Sequence, residues 1–144
     1  MNKIYTIGFT RKQAEEFFGL LNEHSIDLVL DVRLNNASQL AGFSKYPDIK
    51  FFVETICDCE YIHDDNFAPL ATTLQRFRSQ QIPWEQYKKE FKEVMAQRDI
   101  SNYIRQNYSD YLDKKIALLC SEATSEICHR KLIAPYFGVE IEHL

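Results

Sequence analysis

The sequence predicts an α/β fold: a single domain in which helices cover both faces of a mostly parallel sheet, in a Rossmann-like three-layer arrangement. Two apolar runs, Leu28-Val29-Leu30-Asp31-Val32 and Ile116-Ala117-Leu118-Leu119-Cys120, have the pattern of strands buried on both faces, which is typical of parallel sheets. Segments with helical periodicity alternate with these runs. The chain has 144 residues, a length that fits one domain over residues 1–144.

The first elements read as a strand, a helix and a strand. The β-branched and aromatic run Ile4-Tyr5-Thr6-Ile7 predicts a strand that stops at Gly8. Thr10 and Gln13 have the spacing of a capping box, and the apolar residues that follow recur at helical intervals as far as His24. With the apolar strand at 28–32, this order predicts a βαβ unit.

The middle of the chain alternates between loop and helix. Residues 34–45 lack a sustained period and predict an irregular loop. Helical spacing returns over 49–56, and Tyr61-Ile62-His63 predicts a third strand. From Trp84 to Met95 an aromatic stripe lies opposite charged residues, which predicts an amphipathic helix whose aromatic side chains belong to the core.

The last part of the chain contains the second apolar strand. A helix is predicted over 99–112, before the strand at 116–120. A further helix is expected from about 125 to 137, followed by a short strand over 139–141.

Charge and composition exclude some classes of function. The net charge of −4 gives no broad basic field for non-specific nucleic-acid binding, although a local groove stays open as an alternative. No apolar stretch approaches the roughly 20 residues needed to cross a bilayer, so we expect no membrane insertion. No secretory leader is evident, and we expect a cytoplasmic protein whose four cysteines are reduced thiols.

The predicted sheet indicates where a ligand would bind. Ligands of open parallel sheets bind beyond the carboxyl ends of the strands. Three segments lie at such ends, namely Gly8-Phe9-Thr10, Asp31-Val32-Arg33 and Cys120-Ser121-Glu122. We therefore expect them to form one edge of the sheet.

Asp31 and Arg33 are two residues apart in an extended segment, so their side chains point to the same side. The carboxylate of Asp31 would suit a general base, a hydroxyl acceptor or a metal ligand, and the planar fork of Arg33 suits a carboxylate or phosphate. A mutual ion pair that fixes the loop is an equal alternative.

The segment Cys128-His129-Arg130 follows Cys120 and Glu122 closely. If Thr124 or Ser125 were the N-cap of a helix, Cys128 would lie within about one turn of the helix N-terminus, where a thiolate is stabilised. Cys120 and Cys128 are alternatively core residues, and His129 a supporting group.

No metal site is predicted. Cys120, Cys128, His129 and His63 are suitable ligand types, but the eight-residue spacing of the two thiols matches no common zinc pattern. Adjacent residues of a helix also point about 100° apart, which would separate Cys128 from His129. The sequence leaves any other cofactor undetermined.

These motifs carry a resemblance to the domain-of-unknown-function family 488, over almost the whole chain. The segments concerned are Thr6-Ile7-Gly8-Phe9-Thr10, Leu30-Asp31-Val32-Arg33-Leu34-Asn35-Asn36, Gly42-Phe43-Ser44-Lys45, Tyr61-Ile62-His63, Leu70, Trp84-Glu85-Gln86-Tyr87, Leu118-Leu119-Cys120-Ser121-Glu122 and Cys128-His129-Arg130. The resemblance implies one small cytosolic α/β domain of bacterial or archaeal type, and it implies no activity. Many members carry Pro and Ser-Arg in the loop after Asp-Val-Arg, where this chain has Asn35, Asn36, Ser38 and Gln39.

The clustering of reactive and cationic residues predicts an enzyme that acts on an anionic small molecule, such as a nucleotide or nucleic-acid component. The alternatives are a ligand-sensing or nucleic-acid- or protein-binding module that uses the same arginines, and a purely structural buried polar network. Candidate catalytic residues are Cys128, Glu122, Asp31 and Cys120; candidate binding residues are Arg33, Arg130, Thr10, His63, His129, Asn35 and Asn36.

Overall fold

One parallel sheet organises the chain. The computed structural model describes residues 3–37, 42–111, 113–120 and 128–144. Within these ranges the strands are β1 (Lys3–Gly8), β2 (Leu28–Asp31), β3 (Glu60–His63), β4 (Ile116–Cys120) and β5 (Glu140–His143). They pair in the order β3-β2-β4-β1-β5, with every neighbouring pair parallel. The predicted α/β class with a parallel sheet is therefore confirmed.

Helices cover both faces of this sheet. The described helices are α1 (Ala14–Glu23), α2 (Asp48–Cys57), α3 (Ala71–Arg78), α4 (Trp84–Gln97), α5 (Ile100–Asn107) and α6 (His129–Ile133). Residues of α1 and α2 pack with one set of strand side chains, including Val29 and Leu119. Residues of α4, α5 and α6 pack with the alternate set, including Leu118 and Cys120. Successive strand residues thus bury opposite sides, as the continuous apolar runs predicted.

The register brings the expected segments to the carboxyl edge of the sheet. Gly8 of β1 lies opposite Cys120 of β4. Asp31 of β2 lies opposite Leu119 of β4 on one side and His63 of β3 on the other. The chain leaves β1 for the α1 layer and leaves β4 for the α6 layer, so the adjacent ends of β1 and β4 form a switch point of the kind that binds ligands.

Two predictions of local structure are corrected, and one helix was not predicted. The capping box between Thr10 and Gln13 is wrong, because Gln13 is the N-cap of α1 and makes no side-chain cap hydrogen bond. α6 begins at His129, and its N-cap is Cys128 in an extended conformation (φ −129°, ψ 141°), whereas Thr124 and Ser125, the predicted caps, lie outside the described residues. The sequence did not predict α3, because this helix has few apolar residues and buries only Thr73.

In the described ranges no helix is both long and apolar enough to cross a membrane.

A buried polar group joins β3 to the α5 region. The Asp64 carboxylate accepts hydrogen bonds from the hydroxyls of Tyr103 (2.7 Å) and Tyr108 (2.6 Å), and the Asp64 backbone N–H donates to the carbonyl of Asp31 (3.0 Å). This network fixes the chain just beyond the ends of β2 and β3.

We expect Asp64→Ala to lower the free energy of unfolding by about 2 kcal/mol, because it leaves two tyrosine hydroxyls without their acceptor. Urea denaturation measures the change. Tyr111→Phe is the control, since the exposed hydroxyl of Tyr111 bonds only to Glu60 in the described structure and its loss should cost less than about 0.5 kcal/mol. Equal losses in the two variants would contradict the role assigned to Asp64.

Candidate functional site

Cys120 and His129 form a thiol–imidazole pair where β4 ends and α6 begins. The Cys120 Sγ lies 3.6 Å from His129 Nδ1, and His129 Nε2 lies 2.6 Å from the carbonyl oxygen of Val32. Because a carbonyl oxygen only accepts, Nε2 carries the hydrogen in this bond. In the neutral ring, Nδ1 therefore presents its lone pair to the Cys120 sulfur.

Cys128 completes a compact group of three ligand-type atoms. The two sulfurs and a ring nitrogen of His129 all lie within 4.8 Å of one another, and all three residues are buried. The hydrogen bond to Cys120, with burial, holds the pKa of Cys128 well above the ordinary thiol value, against the opposing effect of Arg130. Cys128 therefore stays a thiol.

Neighbouring groups also shift the pKa of the His129 imidazole. Burial alone would lower the pKa of His129, but the Cys120 sulfur and the Val32 carbonyl outweigh burial and raise it. A raised imidazole pKa favours transfer of the Cys120 proton to Nδ1. His129 Nδ1 is thus placed to accept a proton from Cys120.

Positive charge lies beside the thiols. Arg130 is fully buried, and its charge reaches three other groups. The pKa of Lys12 is lowered by burial and then by Arg130, and the pKa of His143 is lowered by burial and then by Arg130 and Lys131. Lys12 lies just after β1, and Arg130 lies two residues after Cys128. Cationic groups from two elements therefore lie near the crevice between the ends of β1 and β4.

The Asp31–Arg33 pair is a buried, bidentate ion pair. Arg33 Nε donates to Asp31 Oδ1 (2.8 Å) and Nη2 donates to Asp31 Oδ2 (2.7 Å). Nη2 also donates to the carbonyl of Ser44 (2.8 Å), and the Tyr61 hydroxyl donates to Asp31 Oδ2. The guanidinium lies 5.2 Å from the ring centroid of Phe9. This arrangement agrees with the interpretation of the pair as one that fixes the loop after β2.

Few atoms of this pair are left for a ligand. Both oxygens of Asp31 accept hydrogen bonds, and Arg33 Nη1 is the guanidinium nitrogen with no acceptor among the described residues. Burial would lower the pKa of Arg33, but Asp31 outweighs it and the pKa is raised. Burial and the nearby Asp31 carboxylate raise the pKa of Tyr61. Asp31 is therefore a positioning group in this geometry, whereas Arg33 can still offer one N–H.

The ion pair and the thiols lie on opposite faces of the sheet. Asp31 alternates with Leu30 and shares the side of Val29, which packs with α1 and α2, whereas Cys120 packs with α4 and α6. The expected direct convergence of Asp31 with the cysteine cluster is thus not what the structure has. The bond from His129 to the Val32 carbonyl links the two groups through the backbone between Asp31 and Arg33.

The remaining candidate residues support the loops around this edge. His63 Nε2 donates to the Arg33 carbonyl (2.7 Å), and the Asn36 amide donates to the Tyr61 hydroxyl (3.1 Å). Asn35 Oδ1 accepts from the Ala37 backbone N–H at an exposed position (2.9 Å). Thr10 lies in the turn after Phe9. Glu122 lies outside the described residues, and its catalytic role stays a prediction.

Sequence reasoning missed several groups near the site. Tyr87 of α4 was assigned to the core alone, yet burial and the nearby Cys120 and Cys128 raise its pKa. Tyr61 binds Asp31, and Lys12 lies in the field of Arg130. The position of Tyr61 opposite Val29 in the β2–β3 register would have indicated its proximity to Asp31, but that register is not readable from the sequence.

Comparison with known proteins gives one match. No curated protein and no solved structure matches the chain significantly. The family model described as "Domain of unknown function DUF488" matches residues 13–137, a span that includes the Asp31–Arg33 pair, both thiols of the site, His129 and Arg130. The chain therefore belongs to the DUF488 family.

Proposed function

We propose that this protein is an enzyme that acts on an anionic small molecule, with Cys120 as the nucleophile and His129 as its proton acceptor. The observation that carries the proposal is the 3.6 Å approach of the Cys120 sulfur to His129 Nδ1, with the tautomer of the ring fixed by the Val32 carbonyl. A thiol, a base in contact with it and a group that orients the base are the three parts of an activated nucleophile.

The geometry supports a two-step group transfer. In the first step the Cys120 proton moves to His129 Nδ1, a sulfur lone pair forms a bond to the electrophilic carbon or phosphorus of the substrate, and the bond to the leaving group breaks. The leaving group takes the proton from Nδ1. In the second step water, deprotonated at the same nitrogen, releases the bound group and restores the thiol. The Cys128 thiol is positioned to donate a hydrogen bond to the Cys120 sulfur while that sulfur is charged.

An anionic substrate is favoured by the charges around the thiols. Arg130 and Lys12 place positive charge beside the crevice between β1 and β4. Asp31 faces the side of the sheet opposite to Cys120. Nucleotides and nucleic-acid components are the first substrate class to test. Glu122 is proposed as a further proton-transfer group.

Selective alkylation tests the proposal. In the presence of a chelator, the native chain is treated with iodoacetamide or with iodoacetate, and each cysteine is followed by peptide mass spectrometry. We expect Cys120 to react at least tenfold faster than the half-buried Cys57, because base-assisted ionisation gives the reactive thiolate. We also expect the ratio of iodoacetate rate to iodoacetamide rate to be higher at Cys120 than at Cys57, because the cationic groups attract the anionic reagent.

Cys128→Ser separates the two thiols of the site. Because a serine hydroxyl still donates a hydrogen bond, Cys120 should keep its alkylation rate within about tenfold in this variant, whereas Cys120→Ser removes the fast phase entirely. Faster reaction at Cys57 than at Cys120 in the native chain would overturn the assignment of the nucleophile. A nucleotide that binds equally well to native and Cys120→Ser chains, without being converted by either, would instead favour the ligand-sensing alternative.

A further inference from the structure

We propose that Cys120, Cys128 and His129 also bind a thiophilic divalent cation of the Zn²⁺ class, and that the bound cation withholds the Cys120 sulfur from reaction. The cation site stands on its own geometry. Its inhibitory effect rests on the function proposed above, because it requires Cys120 to be the nucleophile.

The distances between the three atoms suit a tetrahedral ion. With Zn–S near 2.3 Å and Zn–N near 2.1 Å, a tetrahedral angle places a sulfur and a nitrogen roughly 3.6 Å apart and two sulfurs roughly 3.8 Å apart. The structure has the Cys120 Sγ and His129 Nδ1 at 3.6 Å, and all three atoms within 4.8 Å of one another. The group therefore needs little movement to close around an ion.

The histidine is held in the state that a metal requires. A metal-binding histidine almost always donates its other ring N–H to a carbonyl or carboxylate, which fixes the tautomer and aims the ligand nitrogen. His129 Nε2 meets that condition through its 2.6 Å bond to the Val32 carbonyl. The nitrogen left for a ligand is Nδ1, the one that faces Cys120.

Charge balance favours a dication. A bound metal displaces the thiol protons, and the resulting two thiolates with a neutral imidazole carry two negative charges in a buried position, where uncompensated charge is costly. A divalent cation cancels both charges. Soft sulfur ligands favour Zn²⁺ over Mg²⁺ or Ca²⁺.

The conformation of Cys128 explains why the sequence predicted no metal. That prediction placed Cys128 and His129 in one helix, with side chains diverging by about 100°. Cys128 is instead the extended N-cap, so consecutive residues can direct a sulfur and a nitrogen to one point. In the described part of the chain these residues supply three ligands, the number found in catalytic zinc sites that keep a fourth position open.

Metal titration of the full chain tests the site. The metal-free protein competes with a chromophoric chelator for Zn²⁺, and Co²⁺ is added separately to detect thiolate-to-cobalt charge-transfer absorption. We expect about one Zn²⁺ per chain, with affinity at least ~100-fold weaker in Cys128→Ser and in Cys120→Ser, since each loses one of three ligands. Cys57→Ser, which changes a thiol remote from the group, should bind as the native chain does. Absence of stoichiometric binding, or equal affinity in Cys128→Ser, would overturn the site.

Alkylation with and without Zn²⁺ distinguishes this inference from the proposed function. If both are correct, one equivalent of Zn²⁺ slows iodoacetamide alkylation of Cys120 by at least tenfold, and a chelator restores the rate. If the chain binds Zn²⁺ but Cys120 is unreactive without the metal, the metal site is supported and the proposed role of Cys120 as nucleophile is overturned. Two outcomes would overturn the inhibitory effect. In one, Cys120 is reactive and bound Zn²⁺ does not slow its alkylation; in the other, substrate turnover rises when Zn²⁺ is added.

Discussion

Asp31→Ala is expected to lower the free energy of unfolding by about 3–5 kcal/mol, the range typical of a buried ion pair that loses one partner. Asp31 is completely buried, and its carboxylate is the acceptor for Arg33 Nε and Nη2 and for the Tyr61 hydroxyl. The variant keeps the guanidinium buried and bonded to the Ser44 carbonyl but without its carboxylate. Urea denaturation, followed by circular dichroism, measures the change.

The double variant Asp31→Leu/Arg33→Met separates the loss of the pair from the loss of its charge balance. Replacing both ions by apolar side chains of similar size removes the uncompensated charge, so we expect the double variant to be at least 2 kcal/mol more stable than Asp31→Ala. A single substitution that cost less than about 1 kcal/mol, or a double variant no more stable than the single, would contradict the role of the pair in fixing the end of β2.

Most of the fold was predictable because buried parallel strands have a strong signature. The runs that became β2 and β4 are apolar at every position before the site residues begin, and no amphipathic helix of this length has that pattern. α3 and the caps were harder, because α3 buries little and because a capping box depends on hydrogen bonds that compete with the turn after β1. The sheet order follows from pairing between distant segments, which local patterns do not encode.

The sequence predicted several residues of the candidate site but not how they are grouped. Alternation along β2 and β4 indicates the side on which each residue lies, yet the relative register of the two strands decides which sides coincide. That register puts Asp31 opposite Leu119, so Asp31 and Cys120 face opposite layers. Besides Arg33, the Asp31 carboxylate binds the hydroxyl of Tyr61, whose place beside Asp31 depends on the β2–β3 pairing.

The choice between the two thiols depended on a single helix boundary. With Cys128 inside a helix, its thiol would have gained from the helix terminus and been the better nucleophile. With α6 beginning at His129, the imidazole is carried to Cys120, and Cys128 becomes the residue that donates to it. From sequence alone, the start of a helix is uncertain by one or two residues. In this chain, that shift changes which of the two cysteines is proposed as the nucleophile.

His129→Gln is expected to reduce the alkylation rate of Cys120 by about 100-fold in the presence of a chelator, because removing a positioned base typically costs 10²–10⁴-fold. The glutamine amide keeps a donor for the Val32 carbonyl, so most of the change should reflect the lost proton acceptor at Nδ1. Rates of iodoacetamide reaction at Cys120, measured site by site with mass spectrometry, give the comparison.

His24→Gln is the matched control, since His24 bonds to the Leu20 carbonyl and to Glu142, away from the thiols. Its Cys120 should react within about threefold of the native rate. Both variants are compared below their unfolding transitions, because global unfolding would expose every thiol alike and would raise the rate at buried Cys59 as well. A His129→Gln chain in which Cys120 reacts at the native rate while Cys59 stays protected would show that the imidazole does not activate the sulfur, and His129 would then be a structural support for the end of β2.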